Sequence, residues 1–238
     1  MCGRLNVADS PGVRALCDQL EIALWPDEGM LTKRFTRATD RVSIILRDKG
    51  KAVMRNAIWW LLLESDHTGP IMRFVPSKYT SFNTRYDKLN TRGSAGYHAF
   101  RQQRCVIPAS GFGESQKAGS KTYYHDLIAD SDNPLAMGGL YREWHGRDTH
   151  GNAFIETSCS VVTLAPHPKL LPIHEKASPL MLSLHDNSVQ RWLDCATYPA
   201  DSLEDLLVPT IRHRFTVIPI NKPSLYEPVG DSFVIAPD

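Results

Sequence analysis

The sequence has no apolar run long enough to cross a bilayer, since a membrane-spanning helix needs about 20 apolar residues. Its longest apolar stretch, residues 57–63, is typical of a buried strand. The first residues, Met-Cys-Gly-Arg-Leu-Asn, lead into a polar, capped helix and lack the apolar core of a secretory leader. We therefore expect no membrane segment and a cytoplasmic location.

Cysteines are few and carry no recognisable pairing pattern. The chain has five of them, with no Cys-x-x-Cys and no close spacing of cysteine and histidine: Cys2, Cys17, Cys105, Cys159 and Cys195. An odd number without such spacing supports neither a disulfide framework nor a zinc site. We expect a reducing compartment, no metal and no cofactor.

The chain also has almost no net charge, +1 over 238 residues, but the charge is unevenly distributed. Residues 1–104 carry 17 Lys and Arg against 10 Asp and Glu, whereas the remainder carries 10 against 16. A basic half indicates either contact with nucleic acid or simply a solvated charged face, and charge alone leaves both open.

Hydrophobic residues make up 42% of the chain, enough for a substantial core, and the length fits one domain spanning 1–238. Helical spacing predicts helices near 11–23, 95–103 and 186–194. Short β-rich runs predict strands at 42–47, 52–60, 104–107, 122–128, 135–144, 154–164, 179–182 and 214–220. This order predicts an α+β fold with a curved, mostly antiparallel sheet or a partly closed β-barrel, with few, peripheral helices.

Cys2 is notable because of its position. Removal of Met1 would expose an α-amine, with a pKa of about 7.7–8.0, and a thiol, with a pKa near 8.5, on one residue. The amine of such a 1,2-aminothiol condenses with an aldehyde to a Schiff base, and the thiol then closes a five-membered thiazolidine ring. Arg4, two residues further on, would add a cation that lowers the thiol pKa or holds a phosphate.

Three other segments carry residues suited to chemistry. Asn83 and Arg85 lie at alternate positions, hence on one face if the segment is extended, where they could orient an amide and bind a phosphate. Residues 104–114 are interpreted as a buried strand entering a glycine turn that ends on Glu114, a candidate acid/base with a raised pKa. His174 follows a proline-rich loop and suits a proton shuttle.

The adjacent tryptophans Trp59 and Trp60 could offer a stacking surface for an unpaired base. Two neighbouring residues of a strand face opposite sides, so we expect one tryptophan in the core and one exposed.

Four motifs occur in an order that resembles the SOS response-associated peptidase family, whose members process abasic sites. They are Met1-Cys2-Gly3-Arg4, Phe82-Asn83-Thr84-Arg85, Arg104-Cys105-x-Ile107-Pro108-Ala109-x-Gly111-Phe112-x-Glu114 and Ile173-His174-Glu175-Lys176. The resemblance runs from Cys2 to the region around 215–221 and implies the family's fold. It departs from the family pattern at Thr36 and Thr39, at Gly113 and Ser115 around the glutamate, at Trp60, and at Lys176.

The resemblance implies a protein that removes its own Met1 and captures abasic sites in single-stranded DNA as a thiazolidine crosslink through Cys2, and we expect this protein to be a monomer. It implies that Asn83 orients the amine or the sugar, that Glu114 is the general acid/base, and that His174 moves protons. Arg4 and Arg85 would hold flanking phosphates, with Trp59 or Trp60 stacking nearby, and strand cleavage by β-elimination would be a side activity.

Two other functions stay open on the sequence. One is an N-terminal cysteine peptidase or amidohydrolase without a DNA role. The other is a non-catalytic single-stranded DNA-binding module that uses the basic half of the chain and the tryptophans, and which would not depend on Glu114 or His174.

Overall fold

The computed structural model describes residues 3–69, 71–131 and 134–238, so Cys2 lies outside the described residues. In chain order the strands are β1 (Arg4–Val7), β2 (Lys33–Arg37), β3 (Arg41–Asp48), β4 (Lys51–Trp59), β5 (Leu63–Asp66), β6 (Arg73–Pro76), β7 (Asn83–Arg85), β8 (Arg104–Ala109), β9 (Gly111–Ala118), β10 (Lys121–Ala129), β11 (Leu135–Arg147), β12 (Ala153–Leu164), β13 (Ser178–Pro179), β14 (Met181–Leu182), β15 (Phe215–Ile220) and β16 (Phe233–Ile235). The α-helices are α1 (Pro11–Gln19), α2 (Tyr97–Gln102) and α3 (Ser188–Leu193), and short 3₁₀-helices span Tyr86–Lys88, Pro168–Leu170 and Ala200–Leu207.

Five strands close into a barrel. Their order is β12, β4, β3, β8, β11, and β11 pairs again with β12, so that the ring is complete. Only the β12–β4 contact in this ring is parallel. Strands β7, β13 and β14 extend it, β7 by parallel pairing with β12. Closure satisfies the backbone groups that an open sheet would expose at its edges.

A six-stranded antiparallel sheet covers one side of the barrel, in the order β16, β15, β10, β9, β1, β2. One face of this sheet supplies Leu5, Phe112, Leu127 and Phe215 to an apolar cluster shared with Ile107 and other barrel residues. Burial of these side chains stabilises the packing of the sheet on the barrel, at about 1.5–3 kcal/mol for each large one.

The helices pack on another side of the barrel around a second apolar cluster. Ser10 caps α1, since its side-chain oxygen accepts a hydrogen bond from the Val13 N–H at 3.3 Å, and Pro11 occupies the first turn. Leu16 of α1 and Trp192 of α3 are buried in this second cluster. Helix α3 also ends against Arg104, whose buried guanidinium donates to four backbone carbonyls, those of Phe100, Trp192, Asp194 and Tyr198.

The chain passes from the barrel to the six-stranded sheet at Ser110, a bend between β8 and β9. Gly111 follows this bend, and a Cβ there would lie 2.2 Å from the backbone oxygen of Leu127 on β10. Glycine at this position therefore allows close approach of two strands.

The α+β prediction with a curved, mostly antiparallel, partly closed barrel and few peripheral helices is confirmed. The interpretation of residues 111–114 as a glycine turn is wrong, because they begin strand β9. The glycines and polar residues of this segment have low strand propensity, and its antiparallel register with β10 overrides that preference. Helix α1 ends at Gln19, earlier than the predicted residue 23. Strands β1, β2, β5, β6, β9 and β16 were not predicted, and β7 was considered only as a segment that would be extended if it formed a strand.

Within the described ranges, no helix is both long and apolar enough to cross a membrane.

Candidate active site

Glu114 lies in the middle of strand β9, opposite His125 of β10. It is two residues from Phe112, so the two side chains share the face of the strand that meets the core. The Glu114 side chain is buried, and removal from water raises the pKa of its carboxyl group to about 7. The Arg4 guanidinium opposes this shift, since a nearby cation favours the charged form. Near neutral pH, Glu114 is therefore populated in both protonation states, which suits a general acid/base.

His174 contacts Glu114. Its Nδ1 lies 3.4 Å from Glu114 Oε2 and 3.0 Å from the backbone oxygen of Ser115. A carbonyl oxygen can only accept, so this contact places a proton on Nδ1 and leaves the lone pair of the neutral ring on Nε2. Burial lowers the pKa of His174 below its usual value. At neutral pH the pair is thus a neutral imidazole beside a partly protonated carboxyl group.

The loop before His174 is held by its own hydrogen bonds. The His174 N–H donates to the Leu170 oxygen at 2.8 Å, at the end of the 3₁₀-helix Pro168–Leu170. His167 caps this helix through its Nδ1 and contacts the Asp238 carboxylate through its Nε2 at 3.0 Å. The constrained setting that the prolines indicated therefore also depends on a residue 71 positions away in sequence.

Arg4 is buried against the glutamate strand. Its Nη2 donates to the His125 backbone oxygen at 2.9 Å, and the Phe35 ring centroid lies 5.4 Å from its Cζ. A Cβ on Gly113 would lie 1.9 Å from Arg4 Nε and from Nη2. The guanidinium thus occupies the space of a side chain at position 113, and the absence of that side chain is what lets Arg4 pack here.

Gly3, Arg4, Gly113 and Glu114 line one cavity of about 170 Å³, together with Ser115, Tyr124 and Pro223. We call this the Glu114 cavity. This cavity is lined both by Gly3, the first described residue, and by Glu114, whose carboxyl pKa is shifted toward neutrality. The segment that follows Cys2 in the sequence and the candidate acid/base therefore share one concave site.

Asn83 begins β7, which pairs with the part of β12 that leads into the His174 loop. Trp60 is half-buried near this strand. Its ring packs at 5.7 Å on Phe82, the residue before Asn83, and its indole N–H donates to the Ser77 oxygen at 3.2 Å. Trp60 thus keeps partial access to solvent beside β7.

Trp59 and Arg85 are placed differently. Trp59 is fully buried in the core, where its indole N–H donates to the Phe82 oxygen at 2.8 Å. It presents no face to a base, so the stacking prediction rests on Trp60, in line with the expected opposite orientations of the two tryptophans. Arg85 is exposed and makes a two-pronged contact with Asp87 at 3.0 and 2.8 Å, which partly neutralises its charge.

Sequence reasoning missed several contributors to the site. Ser115 supplies the carbonyl that sets the histidine tautomer, and Tyr124 and Pro223 line the Glu114 cavity. None of these carries a sequence signal, because each reaches the site through pairing or a long loop. In the described part of the chain, no group of three or more His, Cys, Asp or Glu side chains is arranged to hold a metal ion.

The fold and the site together define a class of protein. Its members have a closed five-stranded barrel covered by an antiparallel sheet, with a buried glutamate–histidine pair at the edge of the shared core. The sequence model of the family described as SOS response associated peptidase (SRAP) matches residues 1–223. The chain belongs to this family.

Curated relatives from Bacillus subtilis cover most of the chain. The abasic site processing protein YobE is 30% identical over 214 residues, 88% of this chain and 89% of its own length. The abasic site processing protein YoaM is 26% identical over 210 residues, 88% of this chain and 86% of its own length.

Crystal structures of proteins from two other bacteria share the fold. One from Bordetella bronchiseptica matches with a TM-score of 0.68 at 17% identity, covering 93% of this chain and all of its own. One from Bacteroides thetaiotaomicron matches with a TM-score of 0.68 at 16% identity, covering 97% of each chain. At these identities the likeness concerns the fold alone.

Proposed function

We propose that this protein processes abasic sites in DNA, and that it captures the lesion in single-stranded DNA as a covalent thiazolidine through Cys2 after Met1 is removed. The observation that carries the proposal is the buried Glu114–His174 pair, whose glutamate lines the same cavity as Gly3. Cys2 precedes Gly3 directly in the sequence. Membership of the family and the names of the curated relatives support the DNA substrate.

The proposed reaction begins on the closed sugar ring of the abasic site. As the ring opens, protonated Glu114 gives its proton to the ring oxygen, and the anomeric hydroxyl releases its proton to a nearby base and becomes the aldehyde. The α-amine of Cys2 then attacks the aldehyde carbon. The new hydroxyl takes up one proton and leaves as water, which gives an iminium at that carbon. The thiol sulfur then bonds to the same carbon, its proton passes to a nearby base, and the iminium electron pair returns to nitrogen.

His174 and Asn83 have supporting roles in this proposal. The neutral His174 ring, with its lone pair on Nε2, accepts and returns protons during formation and reversal of the Schiff base. Asn83 orients the amine or the sugar with its amide, and Arg4 and Arg85 are proposed to face the flanking phosphates. The iminium also acidifies the neighbouring sugar carbon, so slow strand cleavage by β-elimination is expected beside crosslinking.

The test is a crosslinking assay with a single-stranded oligonucleotide that carries one abasic site. The purified protein should give a heat-stable shifted band on a denaturing gel, and Cys2→Ala should give none. Cys195→Ala is the matched control, because Cys195 is a partly exposed thiol without an α-amine, and it should crosslink like the wild type. An equal shift with Cys2→Ala, or no shift with a wild type whose intact mass shows Met1 removed, would refute the proposal.

A second set of variants tests the acid/base pair. Glu114→Gln should slow crosslinking by about 10²–10⁴-fold, the usual contribution of general acid–base catalysis. Glu175→Gln is the control, since this exposed carboxylate neighbours His174 in sequence. Equal rates for Glu114→Gln and wild type would assign Glu114 a structural role only. Salt-sensitive binding of undamaged strands without any covalent product would favour the binding-module alternative.

A further inference from the structure

A second cavity, of about 300 Å³, lies beside strands β1 and β10 and the start of α1. It is on the sheet face that carries Asp126 and Ile128, opposite to Leu127, which packs into the core. Its walls are mainly apolar and include Val7, Val13 and Ile128. We call it the Asp126 cavity. An enclosed apolar space with a few polar groups at one end is the usual form of a small-molecule site.

The polar end of the Asp126 cavity is built from side chains that hold one another in place. Asp126 is buried, and its Oδ1 accepts from Asn6 Nδ2 at 2.8 Å. Arg34 Nη2 lies 3.6 Å from Asp126 Oδ2. Tyr226 lines the same cavity, and its pKa is raised by burial and by the nearby Asp126 carboxylate. Asn6 Oδ1 in turn accepts from the Phe35 N–H at 3.1 Å. A carboxylate offers about four acceptor positions, so these contacts leave capacity for an N–H group of a ligand.

Aromatic residues in strained conformations stand beside this polar end. Phe35 has a φ of 63° and Tyr226 a φ of 56°, both in the left-handed region that bulky residues rarely adopt. Their rings meet edge to face at 5.9 Å, and the Arg34 guanidinium contacts both. Strained residues persist where surrounding contacts hold them, and they cluster at binding sites.

Cations line the edge of the sheet next to the cavity. Strand β2 is the edge strand, and its exposed Lys33, Arg34 and Arg37 form a basic row. Lys33 pairs with Asp40 and Arg34 lies near the Asp126 carboxylate, so Arg37 is the cation of the row that no carboxylate pairs with among the described residues. Basic rows interleaved with aromatic rings are how proteins follow a single nucleic-acid strand, with phosphates on the cations and bases on the rings.

The Asp126 cavity also neighbours the Glu114 cavity. Arg4 and Asn6 line one cavity each and lie two residues apart on β1, as do Tyr124 and Asp126 on β10. Two residues of a strand span about 7 Å, so Arg4 and Tyr124 of the Glu114 cavity share one sheet face with Asn6 and Asp126, whereas the Glu114 side chain lies on the core face. A DNA strand that lies along Arg4 and Tyr124 would therefore pass the Asp126 cavity.

We propose that the Asp126 cavity binds an unpaired nucleobase that flanks the abasic site. The base enters between Tyr226 and the apolar wall, its amine or ring N–H donates to Asp126, and its phosphates lie along β2. This inference rests on the proposed function for the identity of the strand, and it assigns to this chain a base site separate from Trp60.

The experiment uses single strands whose central residue is tetrahydrofuran, an abasic analogue without an aldehyde. A second tetrahydrofuran is moved through the flanking positions, and fluorescence anisotropy measures the affinity of each strand. The wild type should lose at least about fivefold in affinity when one particular flanking base is missing, the lower end of the usual effect of a stacked base.

Two variants locate that base. Ile128→Trp fills the cavity, and Tyr226→Asn removes the ring with a residue that tolerates positive φ. Both should reduce the base-dependent loss to below about twofold. Ile155→Trp, at an exposed isoleucine of β12 outside the cavity, should keep the full loss. Thermal melting checks the fold of each variant, and if Ile128→Trp does not fold, Tyr226→Asn decides.

Wild type that binds all the strands equally, or a loss that both variants retain in full, would overturn the proposal. Because the analogue cannot crosslink, these outcomes are independent of Cys2 chemistry. A base-dependent loss in a protein that forms no crosslink with a true abasic site would refute the proposed function and keep the base site. Crosslinking without a base-dependent loss of affinity would support the proposed function and refute the base site.

Discussion

The raised pKa of Glu114 makes a quantitative prediction about stability, through the variant Glu114→Gln. The pKa of this carboxyl is about 7 in the folded protein against an ordinary value of 4.5, because burial disfavours the charged form. Below pH 4.5 the group is protonated whether the chain is folded or unfolded. Between pH 4.5 and 7 the unfolded chain loses this proton first, so stability falls as pH rises. Above pH 7 the folded protein bears the full cost of burying a charged Glu114, which lowers the unfolding free energy by roughly 3 kcal/mol.

Glutamine has a similar shape and cannot ionise, so Glu114→Gln removes this cost. The unfolding free energy of the wild type should therefore decrease relative to the variant by roughly 3 kcal/mol between pH 4 and pH 8. Urea unfolding at intervals of half a pH unit measures the difference directly. His174 is common to both proteins, and burial lowers its pKa from the ordinary value of 6.5, so its ring is mainly neutral at pH 7 and above.

Glu175→Gln is the control, since it removes an exposed carboxylate beside His174 and leaves Glu114 in place. A difference between wild type and Glu114→Gln that stays constant from pH 4 to pH 8 would show that Glu114 ionises normally. A difference of opposite sign would mean that a cation partner outweighs burial at this carboxyl. Either result would remove the physical basis for assigning the acid/base role to Glu114.

Three further predictions concern the surroundings of the site, each measured as the free energy of unfolding in urea. Gly113→Ala should displace the Arg4 guanidinium and lower the unfolding free energy by about 1–3 kcal/mol. In an Arg4→Ala background this cost should nearly vanish, and additive costs would contradict the contact between Arg4 and position 113. Trp59→Ala should cost about 3–5 kcal/mol, and Trp60→Ala should cost less than half of that, because Trp59 is fully buried and Trp60 is half-buried. Equal costs would contradict this placement of the two tryptophans. Arg104→Met should cost at least about 3 kcal/mol by leaving four buried carbonyls without their donor, and a near-neutral effect would show that water replaces it.

Much of the fold was accessible from periodicity. The long apolar strands β3, β4, β11 and β12 were predicted to within a few residues, because alternation or continuous apolar character marks a strand wherever its neighbours are. Strand β9 was not accessible in this way. Its glycines and polar residues have low strand propensity, and they form a strand because β10 and β1 pair with them on either side.

The features of the candidate site also divide into those that the sequence determines and those that depend on the tertiary structure. The sequence by itself determined which residues have the chemistry that the proposed reaction needs: a cysteine that would neighbour a free amine after removal of Met1, a carboxylic acid at Glu114 and an imidazole at His174. Residue type sets these properties, since amines, thiols, carboxyl groups and imidazole keep their chemistry in any fold.

Only the tertiary structure decided what those groups experience. It buried Glu114 against the core and so moved its pKa, and it chose the His174 tautomer through a carbonyl 59 residues away. It also placed Arg4 over Gly113 and buried Trp59 while leaving Trp60 partly exposed. Desolvation, strand register and contacts between distant residues produce these features, and they arise only when the barrel and the sheet pack together.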